Sequence, residues 1–413
     1  MELTLSPRPI GGRIAAVASK SQAHRLMICA ALADRATKIF CAEPSQDLDA
    51  SARALAALGA DFAYRNGAYT VYPMEMPRGD NVLDCGESGT TLRLLLPVVG
   101  ALGVSATFRL HGRLAERPLS PLWEAMEAHG CRLSRPSADT VRCEGRLDGD
   151  RWEIAGNVSS QFISGLLLAL PLTGEESDIM LTTPLESAPY ADLTVQTLRQ
   201  FGVEASRTEA GWHIPQGWGY TSCGKAAVEG DWSNAAFWLC AGAISAPVTV
   251  EGLSLSSVQG DRAILSVLER FGAKVEADEG GVTVTPGDLR GVELDARDIP
   301  DLVPPIASVA ACAQGTTRIF GAERLRRKES DRLQSVAAAL SALGAGVEIT
   351  TDGLLIRGSR LTGGVVDSQN DHRIAMMAAI AACACTRPIT LRGAEAVNKS
   401  YPRFWEDYKT LTR

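Results

Sequence analysis

Apolar and polar positions along the chain alternate between two rhythms. A helical rhythm closes on a glycine, and a period of two then runs through a strand, a short turn and a second strand. The pattern appears as "ALAALGADFAYRNGAYTVYP" at Gly59, "AMEAHGCRLSRPSADTVRCEG" at Gly130, "LRQFGVEASRTEAGWHIPQG" at Gly202, "LERFGAKVEADEGGVTVTPG" at Gly272 and "LSALGAGVEITTDGLLIRGS" at Gly344. These glycines lie about 70 residues apart, the signature of an internal repeat. Each stands where a helix C-terminus favours the left-handed conformation, and the residues after it read as a hairpin.

The other half of the pattern repeats as well. A small or polar residue opens an Ala/Leu-rich helix near Ser21, Thr90, Ser160, Ser233, Asp301 and Asp371, again about 70 residues apart, which predicts six units of strand, helix, strand, helix, strand, strand. The last copy, "PRFWEDYKTLTR", stops after its second helix, and the N-terminal "MELTLSP" is the strand available to complete it. Two three-unit domains follow: residues 1–12 with 225–413 as a discontinuous domain, and 13–224 as the other. The Gly/Pro-rich stretches "PRPIGGR" and "GWGYTSCGKAAVEG" are the expected crossings.

Composition narrows the function. Hydrophobic residues at 46%, charged residues at 22% and a net charge of −7 describe a globular chain with no overall basic face for nucleic acid or an anionic membrane. A local basic pocket for small anions remains open. The ten cysteines form no CxxC pair and have no companion histidine cluster, so they read as buried thiols of a reducing compartment, not as disulfides or metal ligands. No basic leader followed by an apolar stretch opens the chain, and no window of about 18 apolar residues occurs, so a cytoplasmic location is expected.

Chemistry gathers at the predicted helix entrances. A helix N-terminus offers unpaired N–H groups and a positive dipole end, and so attracts anions. Lys20, Ser21 and Arg25 stand at the first entrance, and Gly89 and Arg93 in "DCGESGTTLR" at the second. Ser159, Ser160 and Gln161 follow, then Asp301, and His372 with Arg373. Second-helix entrances add Arg117, Ser187, Tyr190 and the run "RRKESDR", while "AVNKSYPRF" supplies Lys399. Ser, Thr and Asp at such places are ordinarily caps. Arginines in a first turn oppose the dipole unless an anion is present, and Arg25, Arg93, Arg332 and Arg373 are all expected there.

In order and spacing, "SKSQAHR", "GESGTTLR", "ERP", "GNVSSQFISGLLLALPL", "ESAPY", "VEGD", "QGD", "IPD", "KESDR", "DHRIAMM" and "NKSYPRF" resemble the 5-enolpyruvylshikimate-3-phosphate synthase family along the whole chain. The resemblance implies the α/β two-domain enolpyruvyl transferase fold, six βαβαββ repeats with helix N-termini facing an inter-domain cleft. It implies the substrates shikimate 3-phosphate and phosphoenolpyruvate, transfer of the enolpyruvyl group to the 5-hydroxyl, and no cofactor or metal. A monomer without nucleic-acid or membrane partners is expected.

By the same carry-over, Lys20, Ser21, Arg25, Ser159, Ser160, Gln161, Ser187, Tyr190, Asp301 and Lys328 would hold shikimate 3-phosphate. Lys20, Gly89, Arg93, Arg117, Gln161, Arg332, His372, Arg373 and Lys399 would serve phosphoenolpyruvate. Asp301 is expected as base, Glu329 as acid and Lys20 as phosphate electrophile. Lys328 and Arg332, four apart, are expected on one helix face, with Arg326 and Arg327 solvated. Three positions depart from the usual family pattern: Glu87 and Arg324 stand where Asn is frequent, and Leu94 where Pro is. Retention of Gly89 implies inhibition by glyphosate. The rival readings are a UDP-N-acetylglucosamine enolpyruvyl transferase, which typically carries a loop cysteine absent from "LHGRLAERPLSPL", and an RNA-phosphate-processing relative of the fold, which the acidic balance disfavours.

Overall fold

The computed structural model describes residues 1–75, 80–217 and 219–412; Trp218, within the second expected crossing, lies outside them. The chain divides into two compact units, unit 1 of Met1–Val17 with Glu229–Arg413 and unit 2 of Ala18–Val228. Unit 2 contains helices α1 (Lys20–Leu32), α2 (Gln46–Ala57), α3 (Gly89–Leu102), α4 (Leu122–Ala128), α5 (Ser160–Ala169) and α6 (Ala188–Gln200). Unit 1 contains α7 (Trp232–Ile244), α8 (Ile264–Phe271), α9 (Val303–Cys312), α10 (Arg332–Ala342), α11 (His372–Ala381) and α12 (Phe404–Leu411).

Six small sheets carry these helices among the described residues. In five, the first two strands run parallel, a third is antiparallel to the second and a fourth antiparallel to the third. One such sheet orders Asp80–Asp84, Ser105–Arg109, Thr140–Gly145 and Cys131–Ser134. In the sixth, Val365–Asp367 lies parallel to Ile389–Arg392, and the N-terminal strand Glu2–Leu5 pairs antiparallel with the latter. Gly59, Gly130, Gly202, Gly272 and Gly344 follow helix ends with φ of 102°, 94°, 73°, 103° and 92°, a region costly to residues with a Cβ.

The unit boundaries differ from those read in the sequence. Strand Gly12–Ala15 pairs in parallel with Val248–Glu251 and stays in unit 1, while Lys225–Ala227 pairs in parallel with Thr37–Phe40 and stays in unit 2. The chain therefore changes unit after a strand, between it and the helix that follows. A Gly/Pro-rich stretch marks where a chain can turn, but ladder hydrogen bonds decide which unit a strand joins.

Each unit has its own core. Helices α3 and α5 in unit 2, and α7, α9 and α11 in unit 1, are buried around nearly their whole circumference, as apolar residues on every face require. The outer helix α8 instead buries one stripe, Ile264, Val267, Leu268 and Phe271. Contact between α3 and α5 depends on a missing side chain, since a Cβ on Gly165 would lie 2.4 Å from the Arg93 carbonyl oxygen. Burying the helix bodies leaves the polar chemistry to their ends.

Candidate functional site

In unit 1 the charged residues converge on a buried arginine. Asp331, not a helical residue, caps α10 by accepting from Gln334 N at 3.2 Å, and Arg332 is the first residue of the helix. Arg332 is 1% exposed, and its Nε donates to Asp371 Oδ2 at 2.8 Å, its Nη1 to Asp301 Oδ1 at 2.8 Å and its Nη2 to Glu329 Oε2. Burial would lower the pKa of this guanidinium, but Asp371, Glu329 and Asp301 together raise it, so its charge is secure.

Asp301, in a 3-10 turn at Pro300–Leu302 leading into α9, is the second hub. Lys328 Nζ lies 3.6 Å from its Oδ1, and Arg373 Nη2 lies 3.0 Å from its Oδ2. Burial pushes the Asp301 carboxyl up, but Arg373, Lys328 and Arg332 outweigh it and hold it well below the usual carboxylate range. Asp371 caps α11 by accepting from Arg373 N at 3.0 Å, and Ser330 Oγ donates to its other oxygen at 3.0 Å. His372 is buried in the same turn, and Lys399 Nζ donates to the Asn370 carbonyl at 2.6 Å.

Unit 2 holds the remaining sequence candidates. Ser19, not Ser21, caps α1, accepting from Gln22 N at 3.4 Å, and Lys20 is the first helical residue. Lys20 Nζ lies 2.7 Å from Asp47 Oδ2 in the first turn of α2. Arg25, 2% exposed, lies a turn deeper than expected. It donates from Nε to Thr194 Oγ1 at 2.7 Å, from Nη1 to the Ser21 carbonyl at 2.6 Å, and from Nη2 to Ser164 Oγ and the Tyr190 carbonyl, both at 3.0 Å.

Gln161 bridges α5 to α3. Its Nε2 donates to Thr90 Oγ1 at 2.9 Å, and its Oε1 accepts from Arg93 Nη1 at 3.0 Å. Arg93 also donates to the Pro118 carbonyl at 3.0 Å, beside Arg117, whose guanidinium lies against Gly89. Ser159 caps α5 from just before Ser160, and Ser187 precedes α6 with φ 57° and no side-chain cap bond.

Several expectations change. Arg25 and Arg93 stand beyond the first turns of α1 and α3, so only Arg332 and Arg373 oppose a dipole directly; Lys20 is the cation at the α1 entrance. The segment Glu323–Arg327 is 3-10 and Lys328 is extended, so Lys328 and Arg332 share no helix face and meet instead at Asp301 Oδ1. Arg326 is half-buried, pairing with Asp331 at 3.7 Å and donating to the Thr350 carbonyl at 3.1 Å, so it is not solvated; Arg327 is exposed. Of the departures from the family pattern, Arg324 donates to the Arg297 carbonyl at 2.7 Å, and Glu87 lies against Gly112. Sequence reading missed Asp371 and Asp47, since an Asp at a helix entrance looks like a cap; their pairing with a distant cation is tertiary.

This arrangement offers what an enzyme of small anions needs: buried cations with committed partners, a carboxylate held ionised, and helix entrances without acidic first turns. The fold is that of the enolpyruvyl transferases. The enolpyruvyl transferase NikO from Streptomyces tendae, 21% identical, superposes with a TM-score of 0.79 over 99% of this chain and 96% of its own, a likeness of fold. EPSP synthase from Acinetobacter baumannii, 26% identical, reaches 0.82 over 100% and 98%. The family profile of EPSP synthase (3-phosphoshikimate 1-carboxyvinyltransferase) matches residues 5–408, and the chain belongs to that family. Relatives named 3-phosphoshikimate 1-carboxyvinyltransferase include those of Clostridium novyi, 37% identical over 99% of this chain and 97% of theirs, and Clostridium acetobutylicum, 39% identical over 98% and 96%. Among the described residues no helix is long and apolar enough to cross a membrane.

Proposed function

We infer that the chain is a transferase that moves the enolpyruvyl group of phosphoenolpyruvate to the 5-hydroxyl of shikimate 3-phosphate, releasing phosphate, a step toward aromatic amino acids. The observation that carries this beyond family membership is the Asp301 cluster. One carboxylate, flanked by Lys328, Arg332 and Arg373, is kept ionised where anionic substrates would compete for the same cations.

Addition of the hydroxyl to C2 and of a proton to C3 forms a tetrahedral intermediate, which then loses a proton from C3 as it expels phosphate, restoring the enol double bond. Asp301 takes the hydroxyl proton. Its carboxylate is a weak base while three cations surround it, and it strengthens as substrate anions draw those cations away. Glu329, hydrogen-bonded to Arg332, delivers the proton to C3, and Lys20 offsets charge on the departing phosphate. Shikimate 3-phosphate is held by Lys20, Ser21, Arg25, Ser159, Ser160, Gln161, Ser187, Tyr190, Asp301 and Lys328. Gly89, Arg93, Arg117, Gln161, Arg332, His372, Arg373 and Lys399, with Lys20, serve phosphoenolpyruvate. The protein acts as a monomer in the cytoplasm, without nucleic acid.

Phosphate release from phosphoenolpyruvate is the test, with shikimate 3-phosphate or UDP-N-acetylglucosamine as acceptor. Turnover with the first alone is expected; turnover only with the second, or with neither, overturns the reading.

A further inference from the structure

His24 is fully buried in the middle of α1, and no step above uses it. Its Nδ1 lies 2.7 Å from Ser51 Oγ of α2, Ser51 Oγ lies 2.8 Å from Thr91 Oγ1 of α3, and Thr91 Oγ1 donates to Ser88 Oγ at 2.8 Å. Ser88 in turn caps α3, accepting from Thr91 N at 3.2 Å. The chain joins three helices and ends one residue before Gly89, against which the Arg117 guanidinium packs.

Its direction follows from proton counting. Each hydroxyl donates once. Thr91 spends its proton on Ser88, so it accepts from Ser51; Ser51 then has no proton for His24, and so accepts from Nδ1–H. His24 is thereby the Nδ1–H tautomer, and Nε2 is buried without a hydrogen-bond partner among the described residues. Burial first, then the charges of Lys20 and Arg25, hold the imidazole well below its usual pKa, so it stays neutral. Ser88 accepts both of the bonds it makes within the chain, from Thr91 N and Thr91 Oγ1, so its own proton is directed away from Thr91.

We propose that His24 is a positioning residue for the phosphoenolpyruvate end of the site: acting through Ser51 and Thr91, it orients the Ser88 hydroxyl and the first turn of α3 beneath Arg117. This rests on the functional reading above. A neutral donor is what the place requires. A cation would crowd Lys20 and Arg25, whereas an aliphatic residue would free the Ser51 and Thr91 protons to reverse and turn the Ser88 proton inward.

The test uses the full-length protein. In ¹⁵N-histidine spectra the resonance lost in His24→Asn is expected to be an Nδ1–H tautomer that does not titrate between about pH 5.5 and 8.5. An Nε2–H tautomer, or titration in that range, overturns the proposal. This arm is independent of turnover, so failure of the wild-type enzyme with shikimate 3-phosphate would overturn the functional reading alone. In kinetics, His24→Leu and Ser51→Ala are expected to raise the phosphoenolpyruvate KM about tenfold while kcat and the shikimate 3-phosphate KM stay within about threefold. His24→Asn, which places an N–H near Nδ1, is expected to recover most of that loss. An unchanged phosphoenolpyruvate KM in both His24→Leu and Ser51→Ala, or equal losses on both substrates with no rescue by Asn, would show a merely structural contact.

Discussion

Gly89 opens α3 so close to Arg117 that an added Cβ would lie 2.5 Å from Nη1 and 2.9 Å from Cζ. The guanidinium end is mobile enough to yield, so Gly89→Ala is expected to fold normally and move Arg117. A phosphoenolpyruvate KM about tenfold higher, roughly 1.4 kcal/mol of binding, should follow with little change in melting temperature. Steady-state kinetics beside a thermal melt checks both. Glu329→Gln keeps an acceptor for Arg332 but has no acidic proton to give. We expect kcat to fall at least about a hundredfold, with both KM values changed little, and unaltered turnover would remove Glu329 from the mechanism. Both residues were legible in the sequence as types at particular spacings. The partner of Gly89 was not, because Arg117 stands 28 positions further along the chain.

Among elements, α11 shows how a cap can do two things. Asp371 satisfies an N–H of its own helix and, fully buried, balances Arg332 at the entrance of α10. Asp371→Asn keeps a cap but removes the fully buried one of the three carboxylates that Arg332 donates to, leaving it Asp301 and Glu329, a change expected to cost about 1.5 to 3 kcal/mol. Chemical denaturation should show that loss, with activity reduced as Arg332 shifts. A stability within error of wild type would mean that Asp301 and Glu329 hold Arg332 unaided. The helices and hairpins were readable from periodicity and glycines. The stretch Lys328–Asp331 was misread because four-residue spacing matches a helix on paper, whereas a 3-10 turn ending in an extended Lys328 delivers the same residues to Asp301 by another route.

At the scale of the molecule, the buried carboxyl of Asp261 and the partly buried one of Asp301 set opposing pH dependences. Burial foremost, with the nearby charge of Asp301, raises Asp261 to about 7, against the lowering influence of Arg373 and the Ser233 hydrogen bond, while Asp231 also raises it. In the unfolded chain it would titrate near the ordinary 3.8. Between those values the folded state holds a proton that the unfolded state lacks, so Asp261 makes stability fall as pH rises, by at most about 1.4 kcal/mol per pH unit. Asp301, shifted the other way, contributes stability above its unfolded pKa, and that is lost as pH falls through the folded value. Denaturation midpoints from about pH 4.5 to 7.5 should therefore decline more steeply in wild type than in Asp261→Asn, and equal slopes would place the Asp261 proton elsewhere.

The sequence by itself determined the elements, because side-chain periodicity and the left-handed preference of glycine act over a few residues. It also placed the chain with its relatives, because the motifs keep their order along the whole length. Only the tertiary structure decided that the strands Gly12–Ala15 and Lys225–Ala227 remain in the units the chain is leaving, since a strand belongs where its ladder forms. It decided, too, which charges meet: Asp301 with Arg332 and Arg373, Lys20 with Asp47, and His24 with Ser51. Those pairings depend on positions tens of residues apart being packed to within hydrogen-bond reach, and no local pattern encodes that distance.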